Sequence, residues 1–267
     1  MKSAIVIPAR YGSSRFPGKP LALINGMPMI ERTWRIASQA AADMLIVATD
    51  DDRIEDLAQG FGAQVVRTSH DCSNGTERVF EALSLTGATP DIVLNLQGDA
   101  VLTPPWVLTD LIRAMQADSS VRLATPATKL TLEQYHELAN QKAKGVVGGT
   151  LVVFDKNFNA LYFSKSPIPF LRPTTSEEAP LYRHIGLYAY TYEMLQQYLI
   201  LPPGKLEKVE GLEQLRALEN GIPIRVVIVD YKGRTHWSVD SPDDVQKVEA
   251  IIKSEGELFP IANRTHA

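Results

Sequence analysis

The first half of the chain alternates short apolar runs with longer segments in which apolar residues recur at helical spacing. The short runs predict strands at SAIVIPA, MLIVATD, AQVVRT and DIVLNLQGD. The longer segments MIERTWRIASQAA, DRIEDLAQGFG and GTERVFEALSLTG predict helices between them. Continuously apolar strands separated by helices are typical of a parallel sheet covered on both faces, whose ligands lie beyond the carboxyl ends of the strands.

The pattern changes in the second half. GTLVVFD and ALYFSKSPIPF predict a β-hairpin, and RHIGLYAYTYEMLQQYL begins as a strand and ends as a helix. A further helix is predicted at KLEKVEGLEQLRALENG, and a strand at IPIRVVIVDY. The last predicted helix is VDSPDDVQKVEAIIK: Ser241 is its cap, Pro242 its first residue, and Asp244 follows three residues after the cap. We therefore predict an α/β fold with a mostly parallel central sheet, helices on both faces and a smaller, partly antiparallel inserted lobe.

Composition restricts the classes of function. The 267 residues are 45% hydrophobic and 22% charged, which is typical of a globular chain that forms one domain or two closely joined lobes. A net charge of -4 argues against general nucleic-acid binding. The single cysteine, Cys72, gives no disulfide framework, and the first apolar run is too short for a signal peptide or a membrane span. We expect a cytoplasmic protein without stable membrane association or a nucleic-acid partner, in which Cys72 is an incidental thiol.

The loop after the first strand, PARYGSSRFPGKP at residues 8–20, is rich in glycine and in cations. Its glycines enclose five residues instead of four, and Pro20 stands where a nucleotide-hydrolase loop needs a hydroxyl. The dinucleotide pattern GxGxxG is missing as well. Because Pro17 and Pro20 oppose a helix here, we expect the loop to stay extended and to present backbone N–H groups and cations to a polyphosphate. The alternative is a solvated basic turn tied to surface carboxylates.

The opening loop resembles the signature of the nucleotidyltransferases that activate sugars. Together with NGTERV, NLQGD, ALYFSKSPIP, LYRHIGLYAY, LEKVEGLEQLR and VDSPDDV, in that order, it is most similar to the 3-deoxy-manno-octulosonate (Kdo) cytidylyltransferases. The resemblance covers nearly the whole chain and implies a Rossmann-like nucleotidyltransferase fold. It implies transfer of CMP from CTP to the anomeric hydroxyl of an eight-carbon acid sugar, with release of pyrophosphate, for lipopolysaccharide biosynthesis. Family members are typically homodimers.

The resemblance also suggests how the chain is divided. We predict a single nucleotidyltransferase domain over residues 1–267, in which residues 1–130 mainly bind CTP. Residues 145–220 form a lobe for sugar binding and dimerisation. Residues 221–255 supply a returning strand, a metal-binding aspartate and the C-terminal helix.

The resemblance also implies site residues, taken from the positions that match the family's motifs. The nucleotide-binding candidates are Arg10, Gly12, Ser13, Arg15, Lys19, Gly75, Arg78 and Gln97. The catalytic candidates are Arg10, Lys19 and Asp99. Asp99 and Asp240 match the carboxylates that hold the metal, and hard oxygen ligands suit Mg2+. Both aspartates have another explanation: Asp99 as a turn cap, and Asp240 as part of an acidic helix start. Arg78 could likewise cap local structure through Glu77 or Asp71.

The sugar site is carried over in the same way. The sugar-binding candidates are Gln97, Lys165, Arg172, His184, Tyr188, Glu213 and Gln214. We expect His184 to bind the sugar and not to act as a general base, because a single strand histidine is usually structural. Glu207, Glu210 and Gln214 are spaced to share one helix face, and the alternative is a solvated acidic face.

Four positions in three segments depart from the family pattern. GDAV at residues 98–101 replaces the usual GDEP, Asn74 replaces a serine, and Lys165 replaces an arginine, which keeps the charge but not the bidentate fork. These changes weakly support a second substrate that the family includes, 8-amino-3,8-dideoxy-manno-octulosonate (8-amino-Kdo). Two more functions stay open at this point. One is a nucleotidyltransferase for another sugar, such as an acylneuraminate type, and one is a non-catalytic nucleotide-binding regulator.

Overall fold

A computed structural model describes residues 1–12, 15–145, 148–172 and 179–260. The strands are β1 (Ser3–Ala9), β2 (Leu23–Ile24), β3 (Met27–Pro28), β4 (Met44–Thr49), β5 (Gln64–Arg67), β6 (Ile92–Asn95), β7 (Leu123–Lys129), β8 (Leu151–Phe154), β9 (Ala160–Ser164), β10 (Tyr182–His184), β11 (Tyr188–Thr191) and β12 (Arg225–Ile228). The helices are α1 (Met29–Ala37), α2 (Asp52–Gly60), α3 (Gly75–Thr86), α4 (Pro105–Ala117), α5 (Leu132–Ala143), α6 (Tyr192–Leu199), α7 (Lys205–Glu210), α8 (Leu215–Glu219) and α9 (Pro242–Glu255).

The chain divides into two compact units. Unit 1 consists of the described residues of Met1–Ile112 and Tyr231–Ala267, and unit 2 is Arg113–Asp230. The second unit is therefore longer at both ends than the lobe predicted over residues 145–220. No helix in the described parts of the chain is both long enough and apolar enough to span a bilayer.

Unit 1 is built around a parallel sheet with the order β5-β4-β1-β6. All seven residues of β1 are buried, since β1 is central and pairs with a strand on each side. Three helices connect the strands: α1 leads from β1 towards β4, α2 joins β4 to β5, and α3 joins β5 to β6. The loops after these strands therefore lie at one edge of the sheet, which is the edge where ligands bind in folds of this type. The predicted α/β fold class is confirmed.

The C-terminal helix α9 returns to unit 1. Val248 and Ile252 pack with Ile24 and Met29 in one apolar cluster. Ser241 and Asp244 form a capping box at the start of α9, and Pro242 occupies the first turn, as the sequence predicts. Burial raises the pKa of Asp244, but hydrogen bonds from Ser241 and the Trp237 indole N–H outweigh it and lower the pKa to about 2.

Unit 2 contains a mixed sheet. β7 pairs antiparallel with β10 and β11 and parallel with β12. β10 continues to β8 and β8 to β9, both antiparallel. The predicted hairpin is the β8–β9 pair, and the predicted fold class, with its partly antiparallel lobe, is confirmed.

Several local predictions differ from the structure. The helix predicted over KLEKVEGLEQLRALENG is two helices, α7 and α8, because Gly211 has a φ of +60° and ends α7. RHIGLYAYTYEMLQQYL contains two strands, β10 and β11, before α6. Lys19–Leu21 is a short 3-10 helix with Pro20 in its first turn, so this part of the opening loop is not extended. The pattern gave no prediction for α4, β7 and α5.

Candidate functional site: a phosphate loop in unit 1 and a buried polar network in unit 2

The opening loop leaves β1 at the carboxyl edge of the unit 1 sheet. Arg10, Gly12 and Arg15 are exposed, and Ser13 lies outside the described residues. The Gly18 N–H donates to the Tyr11 carbonyl at 2.9 Å, with Gly18 at a φ of +71°, which closes the loop into a turn. The guanidinium of Arg53 stacks on the Tyr11 ring at 3.4 Å from its centre. These contacts hold the described residues Tyr11 and Gly18 close to each other.

Two of these cations contact the predicted metal-binding aspartates. The Lys19 ammonium is paired with the Asp99 carboxylate and donates to the Val239 carbonyl at 3.0 Å. The Arg15 guanidinium lies 3.0 Å from the carboxylate of Asp240, the next residue. The structure therefore brings together four predicted site residues from three distant segments of the chain.

The oxygen atoms at this position suit a divalent cation. Among the described residues no cluster of three or more histidine, cysteine or acidic side chains is found. Asp99 pairs with Lys19, and Lys19 also donates to the carbonyl of Val239, the residue before Asp240. Asp240 itself pairs with Arg15. Two carboxylates fit the preference of hard cations that take their remaining ligands from phosphate and water. The donor set is therefore compatible with a divalent metal that binds together with a nucleotide.

The residues around Gly75 and Gln97 approach β1 closely. A Cβ at Gly75 would lie 3.2 Å from the Pro8 side chain and 3.4 Å from the Gln97 amide. The Gln97 amide donates to Asn95 Oδ1 at 3.0 Å. A Cβ at Gly98 would lie 3.2 Å from the Pro8 carbonyl oxygen. The two glycines therefore let the loop after β6 and the start of α3 lie directly against the end of β1.

Arg78 is placed differently from what its candidate role suggests. Its side chain is 2% exposed and donates to the Asp50 carboxylate at 2.9 Å, to the Thr68 hydroxyl at 2.5 Å and to the Ser69 carbonyl at 3.2 Å. Neither Glu77 nor Asp71 is among these partners. Arg78 joins the loops after β4 and β5, so its effect on a nucleotide would act through those loops.

The thiol of Cys72 lies beside a carboxylate. It donates to Glu81 at 2.7 Å. Burial, together with this carboxylate, raises the pKa of Cys72 to about 12. The thiol therefore stays protonated at neutral pH, in agreement with an incidental role.

The polar network of unit 2 begins at His184. Burial lowers the pKa of His184 to about 3, so the ring is neutral at physiological pH. The Thr125 hydroxyl donates to the Leu187 carbonyl at 2.7 Å and lies 2.8 Å from His184 Nε2. Since a hydroxyl has one proton, Thr125 accepts from Nε2–H, which assigns the tautomer and leaves the lone pair on Nδ1.

Tyr188 and Gln214 form the next part of the network. The Tyr188 hydroxyl donates to Gln214 Oε1 at 2.8 Å. Gln214 is 3% exposed, and its Nε2 has no hydrogen-bond partner among the described residues. Burial raises the pKa of the neighbouring Glu213 carboxyl. A buried amide N–H that lacks a partner is costly, and a ligand hydroxyl would satisfy it.

Lys165 and Arg172 complete the predicted sugar residues. The Lys165 backbone N–H donates to Glu210 at 2.9 Å, and the Ser164 hydroxyl donates to the same carboxylate at 2.7 Å. Arg172 is exposed, and the structure gives it no ion pair with another described residue. Glu207 and Glu210 do not share a helix face with Gln214 as predicted, because Gly211 ends their helix.

Thr125, Asp50 and Asn95 belong to these arrangements but were missed by sequence reasoning. Thr125 and Asn95 lie inside strands, where single polar residues are ordinary. Asp50 follows β4 in TDD, and its position directly after a strand is the signal that could have identified it.

Comparison with known proteins agrees with this geometry. The model of a family described as cytidylyltransferase matches residues 4–226. A 3-deoxy-manno-octulosonate cytidylyltransferase from Maricaulis maris is 52% identical over 259 residues, which cover 97% of this chain and 100% of the relative. An 8-amino-3,8-dideoxy-manno-octulosonate cytidylyltransferase from Shewanella piezotolerans is 45% identical, covering 94% and 99%. The solved structure of a CMP:2-keto-3-deoxy-manno-octonic acid synthetase complexed with CTP has a TM-score of 0.84 and 38% identity, covering 96% of this chain and 100% of that one.

Proposed function

Because the chain belongs to the cytidylyltransferase family, we propose that it transfers CMP from CTP to the anomeric hydroxyl of a Kdo-type acid sugar and releases pyrophosphate. The observation that carries this proposal is the meeting of Arg15 and Lys19 with Asp240 and Asp99 at the carboxyl edge of a parallel sheet. Loop cations bind phosphate oxygens, and the two carboxylates bind a metal.

In the reaction, the sugar hydroxyl oxygen attacks the α-phosphorus and loses its proton, and the bond to the oxygen of the departing pyrophosphate breaks. Arg10, Arg15 and Lys19 neutralise the triphosphate, and Lys19 follows the charge that develops on the leaving pyrophosphate. Gly12, Gly75 and Gln97 are the residues proposed to contact the nucleotide, and Ser13, the remaining candidate, lies outside the described residues. Arg78 acts through the loops that it joins.

We propose Mg2+ as the metal, held by Asp99 and Asp240. When bound, it supplies positive charge to the phosphate oxygens of the transition state. The aspartates hold it in place, and the same carboxylates position Lys19 and Arg15 before the nucleotide binds.

The acid sugar binds in unit 2. His184 is neutral and presents Nδ1 as an acceptor for a sugar hydroxyl, while Gln214 donates through the amide N–H that lacks a partner among the described residues. Tyr188 orients Gln214, and Glu213 adds an acceptor. Lys165 and Arg172 complete the proposed sugar-binding set of unit 2. Gln97, which belongs to unit 1, stays a separate candidate for sugar binding.

The experiment is a CTP-dependent assay of pyrophosphate release across Kdo, 8-amino-Kdo and sialic acid. We expect turnover with a Kdo-type sugar, and Kdo is the first to test because identity to the Maricaulis relative is the higher of the two. Asp99→Asn should lose activity by at least about 10²-fold without unfolding. Asp243→Asn, at an exposed acid of α9, is the matched control and should stay active. CTP binding without turnover in saturating Mg2+ would instead favour a non-catalytic regulator.

8-amino-Kdo is the second candidate substrate. It is favoured by the Shewanella relative and by the departures at Asn74, Ala100 and Lys165. The same assay decides it, because better turnover of Kdo counts against the amino sugar. CMP-sugar formed in either case would serve lipopolysaccharide biosynthesis.

We also propose a homodimer. The segment IGLYAYTYEMLQQYLI mostly fills the core of unit 2, since Tyr190, Met194 and Leu195 are buried. Phe170, Val209 and Ile200 are instead more than 80% exposed and offer apolar surface to a second copy. Light scattering after size exclusion tests this, and a monomer at micromolar concentration contradicts it. The cytoplasmic location and the absence of nucleic-acid and membrane partners stay predictions.

A further inference from the structure

One arginine outside the predicted site residues contacts the loop after β1. Arg53 lies in the first turn of α2, the helix that follows β4 in unit 1. Its guanidinium carbon lies 3.4 Å from the centre of the Tyr11 ring. Tyr11 stands between Arg10 and Gly12, two of the residues proposed to bind the nucleotide. The stack therefore joins the start of α2 to the loop that carries the proposed phosphate-binding cations.

Asp51 holds the guanidinium of Arg53 in one orientation. Arg53 Nε donates to one oxygen of the Asp51 carboxylate at 3.0 Å, and Nη2 donates to the other at 2.6 Å. This bidentate pair lowers the pKa of the Asp51 carboxyl. Asp51 is itself fixed, because it caps α2 by accepting from the Arg53 backbone N–H at 3.1 Å. The Arg53 side chain is 57% exposed, yet the start of the helix sets the plane of its guanidinium.

Tyr11 has a second contact, with Gly18. The Gly18 N–H donates to the Tyr11 carbonyl at 2.9 Å. A Cβ at Gly18 would lie 3.0 Å from the Tyr11 ring, and the φ of +71° also favours glycine here. Gly18 directly precedes Lys19, whose ammonium pairs with Asp99. Tyr11 therefore contacts both the fixed guanidinium of Arg53 and the residue next to Lys19.

An arginine this close to a phosphate-binding loop can act in two ways, by binding phosphate itself or by holding the loop. Arginine grips a phosphate with two parallel N–H groups. In Arg53 the Nε and Nη2 groups already donate to Asp51, and the guanidinium face lies on Tyr11. The contacts therefore favour an action through Tyr11.

We propose that Arg53 is a positioning residue for CTP. Asp51 fixes Arg53, and Arg53 keeps Tyr11 in place before the triphosphate binds. Tyr11 is joined by the chain to Arg10 and through Gly18 to Lys19, so both cations lose less freedom on binding. This inference rests on the proposed function. It predicts weaker binding of CTP without the stack, and unchanged binding of the acid sugar.

The test uses the full chain and two measurements. Isothermal titration calorimetry with Mg2+ gives the Kd for CTP, and pyrophosphate release gives the KM values for CTP and Kdo. Arg53→Met should raise the Kd and the KM for CTP about fivefold and leave the KM for Kdo unchanged. Its backbone N–H still donates to Asp51, so α2 stays capped. Arg53→Lys keeps the charge but not the planar fork and should resemble Arg53→Met.

Variants of Tyr11 test whether Arg53 acts through the ring. Tyr11→Leu should match Arg53→Met, and Tyr11→Phe, which keeps the ring, should recover the CTP constants to within about twofold. The double variant of Arg53→Met and Tyr11→Leu should bind CTP no more weakly than either single variant, because each removes the same stack. Arg67→Met is the matched control: Arg67 pairs with two carboxylates of α2, and its loss should leave the CTP constants unchanged.

The outcomes separate this role from direct phosphate binding and from the proposed function. Single effects that multiply in the double variant, or normal CTP constants in Arg53→Lys, would refute the positioning role. Unchanged CTP constants in Arg53→Met would refute it too, while pyrophosphate release by the unmodified chain upholds the proposed function. If no acid sugar gives pyrophosphate, the proposed function fails, and the calorimetric Kd values still decide the role of Arg53. A chain that does not bind CTP would overturn both.

Discussion

The ion pair between Arg78 and Asp50 allows a sharp test of how unit 1 is stabilised. Arg78 is 2% exposed and Asp50 8% exposed, and their charged groups lie 2.9 Å apart. Arg78→Met keeps the length and apolar character of the side chain but removes the charge and its hydrogen bonds. The substitution would leave the Asp50 carboxylate buried without its main partner.

The expected magnitude follows from the partners that Arg78 loses. The guanidinium donates to the Asp50 carboxylate, the Thr68 hydroxyl and the Ser69 carbonyl. Removal of one member of a buried ion pair costs about 3–5 kcal/mol, because the remaining charge stays desolvated. We therefore expect Arg78→Met to reduce the free energy of unfolding of unit 1 by about that amount. Adding Asp50→Asn should recover part of the loss, because the unpaired charge is then removed as well.

Tryptophan fluorescence during urea unfolding is the appropriate assay. The chain has three tryptophans, Trp34, Trp106 and Trp237, and all belong to unit 1. Arg67→Met is the matched control, since Arg67 pairs with acids at the surface of the same unit and should leave the urea midpoint nearly unchanged. Equal midpoint shifts for the Arg78 and Arg67 variants would refute the reasoning, and so would a double variant less stable than Arg78→Met alone.

Three further predictions concern the sites and the last helix. Thr125→Val removes the acceptor of His184 Nε2–H and should raise the KM for the acid sugar about tenfold. Thr125→Ser keeps the hydroxyl and should keep the KM of the unmodified chain. Equal KM values for the two variants in initial-rate assays would count against the tautomer assignment. Gly98→Ala places a Cβ 3.2 Å from the Pro8 carbonyl oxygen and should lower kcat/KM for CTP about tenfold, with an unchanged circular dichroism spectrum as the control. Asp244 has a folded pKa of about 2, below its usual value, so it contributes about 2 kcal/mol of stability above pH 4 that is lost as the pH falls towards 2. Asp244→Asn should therefore be less stable than the unmodified chain in urea at pH 7 but not at pH 2, and an equal difference at both pH values would contradict the assignment.

Local signals predicted much of the fold. The parallel strands of unit 1 were evident because each is a continuous apolar run between helical segments, and β1 has the predicted bounds, Ser3–Ala9. The start of α9 was predicted from Ser241 and Pro242, whose preferences act within one turn. The break between α7 and α8 was not predicted. Gly211 is a single glycine in an otherwise helical pattern, and only its left-handed backbone in the folded chain shows that α7 ends there.

In the candidate site, too, residues with a local sequence signal were predicted and contacts between distant segments were not. Arg15, Lys19 and Asp99 were recognisable because they are charged residues in loops that follow apolar strands, and the structure places them together. The partner of Arg78 was not recognisable, because Asp50 is 28 residues away and the pair forms only when the loops after β4 and β5 meet. Sequence reasoning gave Arg78 local alternatives, and neither Glu77 nor Asp71 bonds to it.

Residues that bind a ligand and residues that position another side chain differ in how fully the fold satisfies their polar groups. A binding residue keeps polar capacity that the fold does not fully use, as Gln214 does through Nε2. A positioning residue such as Thr125 is satisfied entirely by the fold, through His184 and the Leu187 carbonyl, and these partners lie about 60 residues away in the chain. An unsatisfied polar group is conspicuous in a sequence when it is a charged loop residue, whereas a buried hydroxyl in LATPAT looks like any strand threonine. Sequence reasoning therefore finds the groups that touch ligands more readily than the groups that orient them, and for Thr125 the measured effect of valine on sugar binding is the direct check of that difference.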